Sequence, residues 1–264
     1  MDIKDLAGLG AYSPIFHELY KDMAQPAARN VGLALGAITS IGLFLHLLTS
    51  WGTDRLNMCL KNNLEQYANK LKDVPEEQII QATPEVALPI IEKLSYVSNE
   101  ELRELYIELL VKASIKDMND KAHPSFVNII NNLSPDEAKF IEYLNQNESL
   151  PFVDITVSAE NYTLHYIDLL VCFTPGLNLN FPKNLKAYLS NLEASGLIQI
   201  KSGRWVHEEA AFEVYRKYLN ENIPRYEKEY DYIKKDPGTI KPYDFVKGSI
   251  NITEFGSLFF SAIL

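Results

Sequence analysis

The stretch NVGLALGAITSIGLFLHLLTSW, residues 30–51, decides what kind of fold the chain has. Its apolar window from Val31 to Leu48 holds 18 residues and would be about 27 Å long as an α-helix, against roughly 30 Å for the hydrocarbon core of a bilayer. His46 interrupts the window, and Gly36 follows another glycine by four residues, a spacing that lets helices pack closely. We therefore expect a buried central helix at about residues 27–50, surrounded by other helices.

Two alternatives stay open for this stretch. One is a permanent membrane span. The other is a helix that is sheltered at rest and enters a membrane on activation. The N-terminus, MDIKDLAGLGAYSP, has no basic start followed by an apolar run, so it does not read as a secretory signal. We therefore expect a cytoplasmic protein, with membrane association on activation as the open alternative.

The charge of the chain is unevenly distributed. The 264 residues carry a formal net charge of −10. Residues 1–178 hold 13 Lys and Arg against 24 Asp and Glu, whereas residues 179–264 hold 12 against 11. Such an acidic chain is repelled by nucleic acid and anionic lipid unless a local basic patch exists, and such a patch would have to lie in the last third. The two cysteines, Cys59 and Cys172, are flanked by apolar residues and are expected to be buried free thiols.

Helical patterns dominate the first part of the chain. Leucines and a tyrosine recur three and four residues apart between residues 54 and 72, which predicts an amphipathic helix. Ser98 with Glu101, and Ser134 with Glu137, have the spacing of capping boxes at helix starts. Three prolines are predicted to separate short helices: Pro75, Pro84 and Pro89. Residues 1–147 are therefore predicted to form a multi-helix domain.

The pattern changes at Pro151. Residues 152–173 are rich in β-branched and aromatic side chains, which favours strands. A helix at residues 183–192 is expected to stop at Gly196. Two strands, a polar helical stretch between them and a terminal helix capped by Thr253 are expected to follow. The chain is thus predicted to be mainly α, with residues 148–264 forming a smaller α+β domain of winged-helix character.

Sequence motifs for catalysis are missing. The chain has no metalloprotease helix, nucleophile elbow, phosphate loop or dinucleotide fingerprint. The best metal-ligand candidates are Asp117, Asp120 and His123, whose side-chain types could bind a metal ion or move a proton. We favour a local polar loop in which His123 orders the turn before Pro124. We expect no cofactor and no enzymatic activity, and a metal-dependent nuclease stays an open alternative.

The last third also permits a nucleic-acid interpretation. In a winged helix, the helix from residue 183 to 192 would be the recognition helix. Four cations are candidates for phosphate contacts: Lys183, Lys186, Lys201 and Arg204. This basic content is thin for a phosphate footprint, and fold alone does not give function. We favour a protein–protein interaction module, with a prophage-encoded DNA-binding regulator as the alternative.

Three blocks of sequence carry a family resemblance: LYKDMAQPAARNVGLALG (19–36), KAHPSFVNIINNLSPDEAKFI (121–141), and YLSNLEASGLIQI followed later by INITEFGSLFF. Together they resemble the bacterial abortive-infection alpha family. The resemblance implies anti-phage defence by abortive infection, with a protein partner that is a phage component or a second copy of the chain. The middle block supplies the motif residues: His123, Pro124, Phe126, Ser134, Asp136 and Glu137. We interpret Asp136 and Glu137 as carboxylates that favour the positive end of a helix, not as catalytic acids.

Overall fold

A computed structural model of the chain describes residues 25–40, 54–147, 149–159, 163–171, 177–205, 208–229 and 239–264. Within these residues the chain forms nine α-helices and one four-stranded antiparallel sheet, so the prediction of a mainly helical protein is confirmed. The chain divides into two compact units: Met1–Ala138 with Leu258–Leu264, and Lys139–Ser257. The predicted domain boundary between residues 147 and 148 stays a prediction.

The first unit is built from helices. Its described helices, in chain order, are α1 (Gln25–Ser40), α2 (Asp54–Leu71), α3 (Pro84–Leu94), α4 (Glu100–Ala113) and α5 (Ser125–Asn131). Helix α6 (Pro135–Asn147) begins in this unit. Short 3-10 turns lie at Glu76–Gln78 and Asn119–Lys121.

Helix α1 contains the described half of the apolar stretch. Val31 and Leu35 are buried in the core. The buried Asn30 amide donates to the main-chain oxygens of Leu71 and Val74, at 2.8 and 3.0 Å, and so ties α1 to the end of α2. Residues 41–50, the rest of the predicted helix at 27–50, lie outside the described residues. None of the helices in the described ranges has both the length and the apolar composition needed to cross a bilayer.

The spacing of Gly36 predicts a close approach of another helix. Among the described residues, the atom nearest to a Cβ built on Gly36 is the side-chain nitrogen of Gln81, at 3.1 Å. A main-chain contact occurs two residues earlier, where the Ala82 N–H donates to the Ala34 oxygen at 3.0 Å. A larger residue at position 36 therefore has a movable side chain to displace, which costs less than displacing a backbone.

Buried polar contacts fix how the helices of the first unit pair. The Asn63 amide on α2 donates to the Leu94 oxygen at the end of α3, at 2.6 Å. The Tyr67 hydroxyl lies 2.6 Å from the Ser114 hydroxyl in a fully buried site, and burial raises the pKa of Tyr67. Because an unpaired polar group in the core is costly, these bonds disfavour any register that would break them.

Two local predictions in this unit are wrong. The cap of α4 is Asn99 and not Ser98, because the Asn99 side-chain oxygen accepts the Leu102 N–H at 2.9 Å. Pro89 does not end a helix but lies inside α3. Burial of the apolar face of α3 outweighs the one main-chain bond that the proline removes.

The second unit is organised by its sheet. The strands are β1 (Ser149–Ala159), β2 (Thr163–Leu170), β3 (Ile198–Ser202) and β4 (Thr239–Ile252), in the spatial order β2-β1-β4-β3 with every pair antiparallel. Helix α7 (Leu185–Ala194) precedes β3, and α8 (Glu213–Glu229) lies between β3 and β4 in the chain. Buried side chains of β1, Val153 and Ile155, pack against aromatic and aliphatic residues at and around the start of α8.

The C-terminal end of α7 and the start of α9 (Glu254–Ile263) follow the sequence predictions. Gly196 follows the C-cap residue of α7, Ser195, and has a φ of +76°, where a residue without Cβ is favoured. The Thr253 hydroxyl caps α9 by accepting the Gly256 N–H at 2.8 Å. A Cβ on Gly256 would lie 2.0 Å from the Leu197 oxygen, so this close approach requires glycine. In the described chain, β2 and a 3-10 turn, Pro182–Asn184, come before α7. The winged-helix character of residues 148–264 stays a prediction.

Candidate functional site

His123 orders the turn that begins α5. Its Nδ1 atom accepts the Ser125 main-chain N–H at 3.1 Å and lies 2.7 Å from the Ser125 hydroxyl. Because a main-chain N–H can only donate, Nδ1 is an acceptor and the hydrogen of the neutral ring is on Nε2. Both contacts are those expected of a residue that orders the turn around Pro124.

The other motif residues of the middle block hold the first unit together. Phe126 is fully buried and meets the Phe259 ring edge-on, with centroids 5.1 Å apart. Ser134 and Glu137 form the predicted capping box at α6: the Ser134 N–H donates to the Glu137 carboxylate at 2.6 Å, and the Glu137 N–H to the Ser134 hydroxyl at 3.3 Å. Asp136 in the first turn is also buried. The described contacts of this block are therefore packing and helix-capping contacts.

The metal-ligand candidates Asp117, Asp120 and His123 are not brought together. Asp117 and Asp120 are exposed, Asp120 lies in a 3-10 turn, and the Nδ1 atom of His123 is occupied by Ser125. Within the described ranges, no group of three or more His, Cys, Asp or Glu side chains has an arrangement that could hold a metal ion. A metal site formed by these three residues stays the less favoured alternative.

The four candidate nucleic-acid contacts lie in a turn, a helix, a strand and a loop. Lys183 is exposed in the 3-10 turn Pro182–Asn184, Lys186 is exposed in the first turn of α7, Lys201 is half-buried on β3, and Arg204 is exposed in the loop after β3. Where α7 meets β3, the Glu193 carboxylate accepts the Ile200 N–H at 2.8 Å. DNA binding by the four cations stays the alternative to a protein partner.

A cluster that sequence reasoning missed surrounds Trp205. The indole is 46% exposed, and the Lys247 ammonium lies 5.1 Å from its ring centroid. The same ammonium is 5.0 Å from the ring of the buried Phe212 and forms an ion pair with Glu209. Since a cation beside an aromatic ring is attracted to its π-electrons, Lys247 supports the indole from one side.

Further charges and one main-chain contact hold this cluster in place. Arg216 lies 3.6 Å from Glu209 and 5.2 Å from the Phe245 ring centroid. The hydrogen bond from Lys247 lowers the pKa of the exposed Glu209, and the charge of Arg216 adds to the effect. The buried Ser249 hydroxyl donates to the Arg204 oxygen at 3.2 Å, which positions the chain directly before the indole. We call Trp205, Glu209, Phe212, Arg216 and Lys247 the Trp205 surface.

A buried carboxylate joins three strands of the same unit. Asp154 on β1 accepts the Leu169 N–H at 2.7 Å and the Ser202 hydroxyl at 2.5 Å. Leu169 has a φ of +52°, an unfavourable conformation for leucine, at a point where the β1–β2 register shifts. The Asp154 contacts therefore hold an irregular stretch of β2 and the end of β3 in fixed positions.

The comparison with family models decides the identity. The abortive infection alpha model matches residues 59–263, which is most of the chain. The chain belongs to the abortive infection alpha family. No curated protein and no solved structure matches the chain. Family membership supports a role in abortive infection, and the matched range covers both the middle block and the Trp205 surface of this abortive infection alpha protein.

Proposed function

We propose that this abortive infection alpha protein defends bacteria against phage by binding another protein through the Trp205 surface. The proposal assigns no catalytic step and no cofactor to the chain. The partner is a component of the phage or of the infected cell. The family match supports the defence role, and the supported, half-exposed indole supports the binding role.

The exposure of a fixed tryptophan is the observation that carries the proposal. Tryptophan is enriched among the residues that dominate protein–protein binding energies, and it has few rotatable bonds to lose on binding. The contacts of Lys247 and the placement of Arg204 restrict the indole further. A side chain that is already ordered loses less conformational entropy when a partner covers it.

The charges of the Trp205 surface favour recognition of a protein over recognition of a polyanion. Glu209 pairs with Lys247 and Arg216, and Glu213 lies 3.3 Å from the Arg216 guanidinium. Lys247 and Arg216 are thus matched by carboxylates, whereas nucleic-acid sites carry an excess of cations that contact phosphates. Membrane perturbation on activation stays a prediction for residues 31–48.

The proposal is tested by phage challenge of bacteria that carry the gene in wild-type or variant form. Trp205→Ala is expected to abolish protection, and Lys247→Met to reduce it because the indole loses its support. Phe181→Ala is the matched control, since Phe181 is an aromatic side chain of the same unit and is 65% exposed. It is expected to protect like wild type.

Each variant must accumulate to the wild-type level and unfold at the wild-type temperature, so that a loss of protection reports on binding. If Trp205→Ala protects as well as Phe181→Ala, the Trp205 surface is not the binding site. If Trp205→Ala and Phe181→Ala both lose protection while remaining folded, the effect is not specific to Trp205, and the proposal is also wrong.

A further inference from the structure

The face of β4 that supports Trp205 continues into a row of polar residues. Because successive residues of a strand alternate between its two faces, one face of β4 carries Lys247, Ser249 and Asn251. Lys247 contacts the Trp205 ring from this face. Ser249 is buried, and Asn251 is half-buried opposite Ser149 of β1.

The polar side chains of this face form a chain of hydrogen bonds that ends next to the indole. The Ser149 hydroxyl donates to the Asn251 side-chain oxygen at 2.8 Å. The Asn251 amide donates to the Ser249 hydroxyl oxygen at 2.9 Å and lies 3.5 Å from the main-chain oxygen of the same serine. The Ser249 hydroxyl in turn donates to the Arg204 main-chain oxygen at 3.2 Å. These bonds connect the start of β1 to the residue directly before Trp205.

The direction of each bond in this chain is fixed by the atoms at its ends. The Arg204 main-chain oxygen can only accept, so the single hydrogen of the Ser249 hydroxyl points toward it. The Ser249 oxygen is then an acceptor for Asn251, which must present its amide nitrogen. This amide orientation is also held from the other side, because the Asn251 oxygen accepts the Ser149 hydroxyl. Asn251 therefore keeps the Ser249 hydrogen directed at Arg204.

The Arg204 oxygen is part of the main chain from which the indole projects. The Arg204 C=O and the Trp205 N–H belong to one planar peptide group, so a bond that holds the oxygen also holds the start of Trp205. The residue before them is held as well, since the Gly203 N–H donates to the Lys247 oxygen at 2.9 Å. Ser249 thus fixes the main chain of Trp205, while Lys247 contacts its ring.

We propose that Asn251 is a positioning residue of the Trp205 surface. It acts through the Ser249 hydroxyl and holds the Arg204–Trp205 peptide group in the orientation that presents the indole to a partner. This inference rests on the proposed function for its effect on defence, whereas its effect on Trp205 is measured on the purified chain. A main chain that is already ordered loses less conformational entropy when the partner binds.

The substitution Asn251→Asp removes the donor and keeps the shape of the side chain. The introduced carboxylate can still accept the Ser149 hydroxyl, but it has no amide hydrogen for Ser249. Because a hydrogen bond to a charged acceptor is stronger than one to a neutral acceptor, the Ser249 hydroxyl is expected to turn from Arg204 to the carboxylate. The Arg204–Trp205 peptide group then loses its contact, while the strands keep their pairing.

NMR relaxation and chemical shifts of the purified chain test this step. The order parameter of the Trp205 main-chain N–H is expected to be about 0.85 in wild type and to fall below about 0.6 in Asn251→Asp. The carbonyl ¹³C resonance of Arg204 is expected to shift in the same variant, because the carbonyl no longer accepts a hydrogen bond. Ser249→Ala is expected to give both changes, since it lacks the hydroxyl that bonds to Arg204.

Asn222→Asp is the matched control for the change from amide to carboxylate. The Asn222 amide donates to the Tyr218 oxygen within α8, at 2.8 Å, and has no bond to the Trp205 main chain. Both NMR signals are expected to stay at their wild-type values. In phage challenge, Asn222→Asp is expected to protect like wild type, whereas Asn251→Asp is expected to lose most of the protection at an unchanged protein level.

The proposal is overturned if the Trp205 order parameter stays at the wild-type value in Asn251→Asp, or falls equally in Asn222→Asp. Should Asn251→Asp fail to fold, an unchanged order parameter in Ser249→Ala overturns it instead. It is also overturned if Asn251→Asp loosens Trp205 and still protects fully while Trp205→Ala does not. If Trp205→Ala itself protects, the proposed function is wrong, and the NMR comparison still decides whether Asn251 positions Trp205.

Discussion

Replacing Phe259 by alanine should destabilise the first unit far more than its place near the C-terminus suggests. Phe259 lies in α9, within the residues 258–264 that belong to the first unit. It is fully buried, and its ring meets that of Phe126 at an interplanar angle of 75°. Removing a fully buried phenylalanine costs about 3–5 kcal/mol, a large share of the roughly 5–15 kcal/mol by which a typical domain is stable.

The ring–ring contact itself can be measured separately. Phe126→Leu and Phe259→Leu preserve most of the volume and are expected to cost less than about 1.5 kcal/mol each. In a double-mutant cycle, the two substitutions should be coupled by about 0.5–1.5 kcal/mol, the value of an edge-to-face aromatic pair beyond its buried area. Neither single substitution can reveal this coupling.

Urea unfolding followed by far-ultraviolet circular dichroism measures both quantities. Phe255→Ala is the matched control, because Phe255 is in the same helix and is 37% exposed, so its loss should cost clearly less. The reasoning is refuted if Phe259→Ala and Phe255→Ala unfold at the same urea concentration, or if the two leucine substitutions are strictly additive.

Four other predictions follow from the described contacts. Ser134→Ala should cost about 1 kcal/mol of unfolding free energy through loss of its cap, whereas Ser134→Asp should retain most of it. Asp154→Ala should cost at least about 1–3 kcal/mol because it leaves a main-chain N–H without its acceptor, and the isosteric Asp154→Asn should cost less in the same melt. The hydrogen bond from Lys247 lowers the pKa of Glu209, so the pairing of Glu209 with its cations stabilises the fold at pH values above the ordinary glutamate pKa of about 4.3. This stabilisation is lost as the pH falls through the lowered pKa of Glu209. NMR titration of Glu209 should show the lowered pKa, and Lys247→Met should bring it closer to the ordinary value. The chain should not shift random duplex DNA in a gel at nanomolar concentration and physiological salt. A shift that disappears when Lys183 and Lys186 are changed to glutamate would contradict the preference for a protein partner.

The parts of the fold that sequence patterns predicted are local. The Ser134–Glu137 box, the Thr253 cap and the stop at Gly196 each depend on residues within a few positions, and each is confirmed. The wrong cap at α4 is a shift of one residue between two good capping side chains, Ser98 and Asn99. Local propensity does not distinguish them, because serine and asparagine are both favoured at the cap position.

The parts that sequence patterns did not predict depend on distant residues. Lys247 contacts the Trp205 ring and also pairs with Glu209, which is 38 residues earlier in the chain. Asp154 finds a serine 48 residues away. Pro89 stays inside a helix because burial of the face around it outweighs one lost bond. These outcomes follow from strand order and packing, which no short window of sequence contains.

The timing of cell death after infection is the measurement that tests the proposed defence role most directly. Bacteria with and without the gene are infected so that every cell receives phage, and both survival and phage release are followed through the first cycle. The account predicts that cells with the gene die early and release few phage, and that Trp205→Ala restores the normal burst. A normal burst from cells carrying the wild-type gene, across phages that such cells encounter, would contradict it.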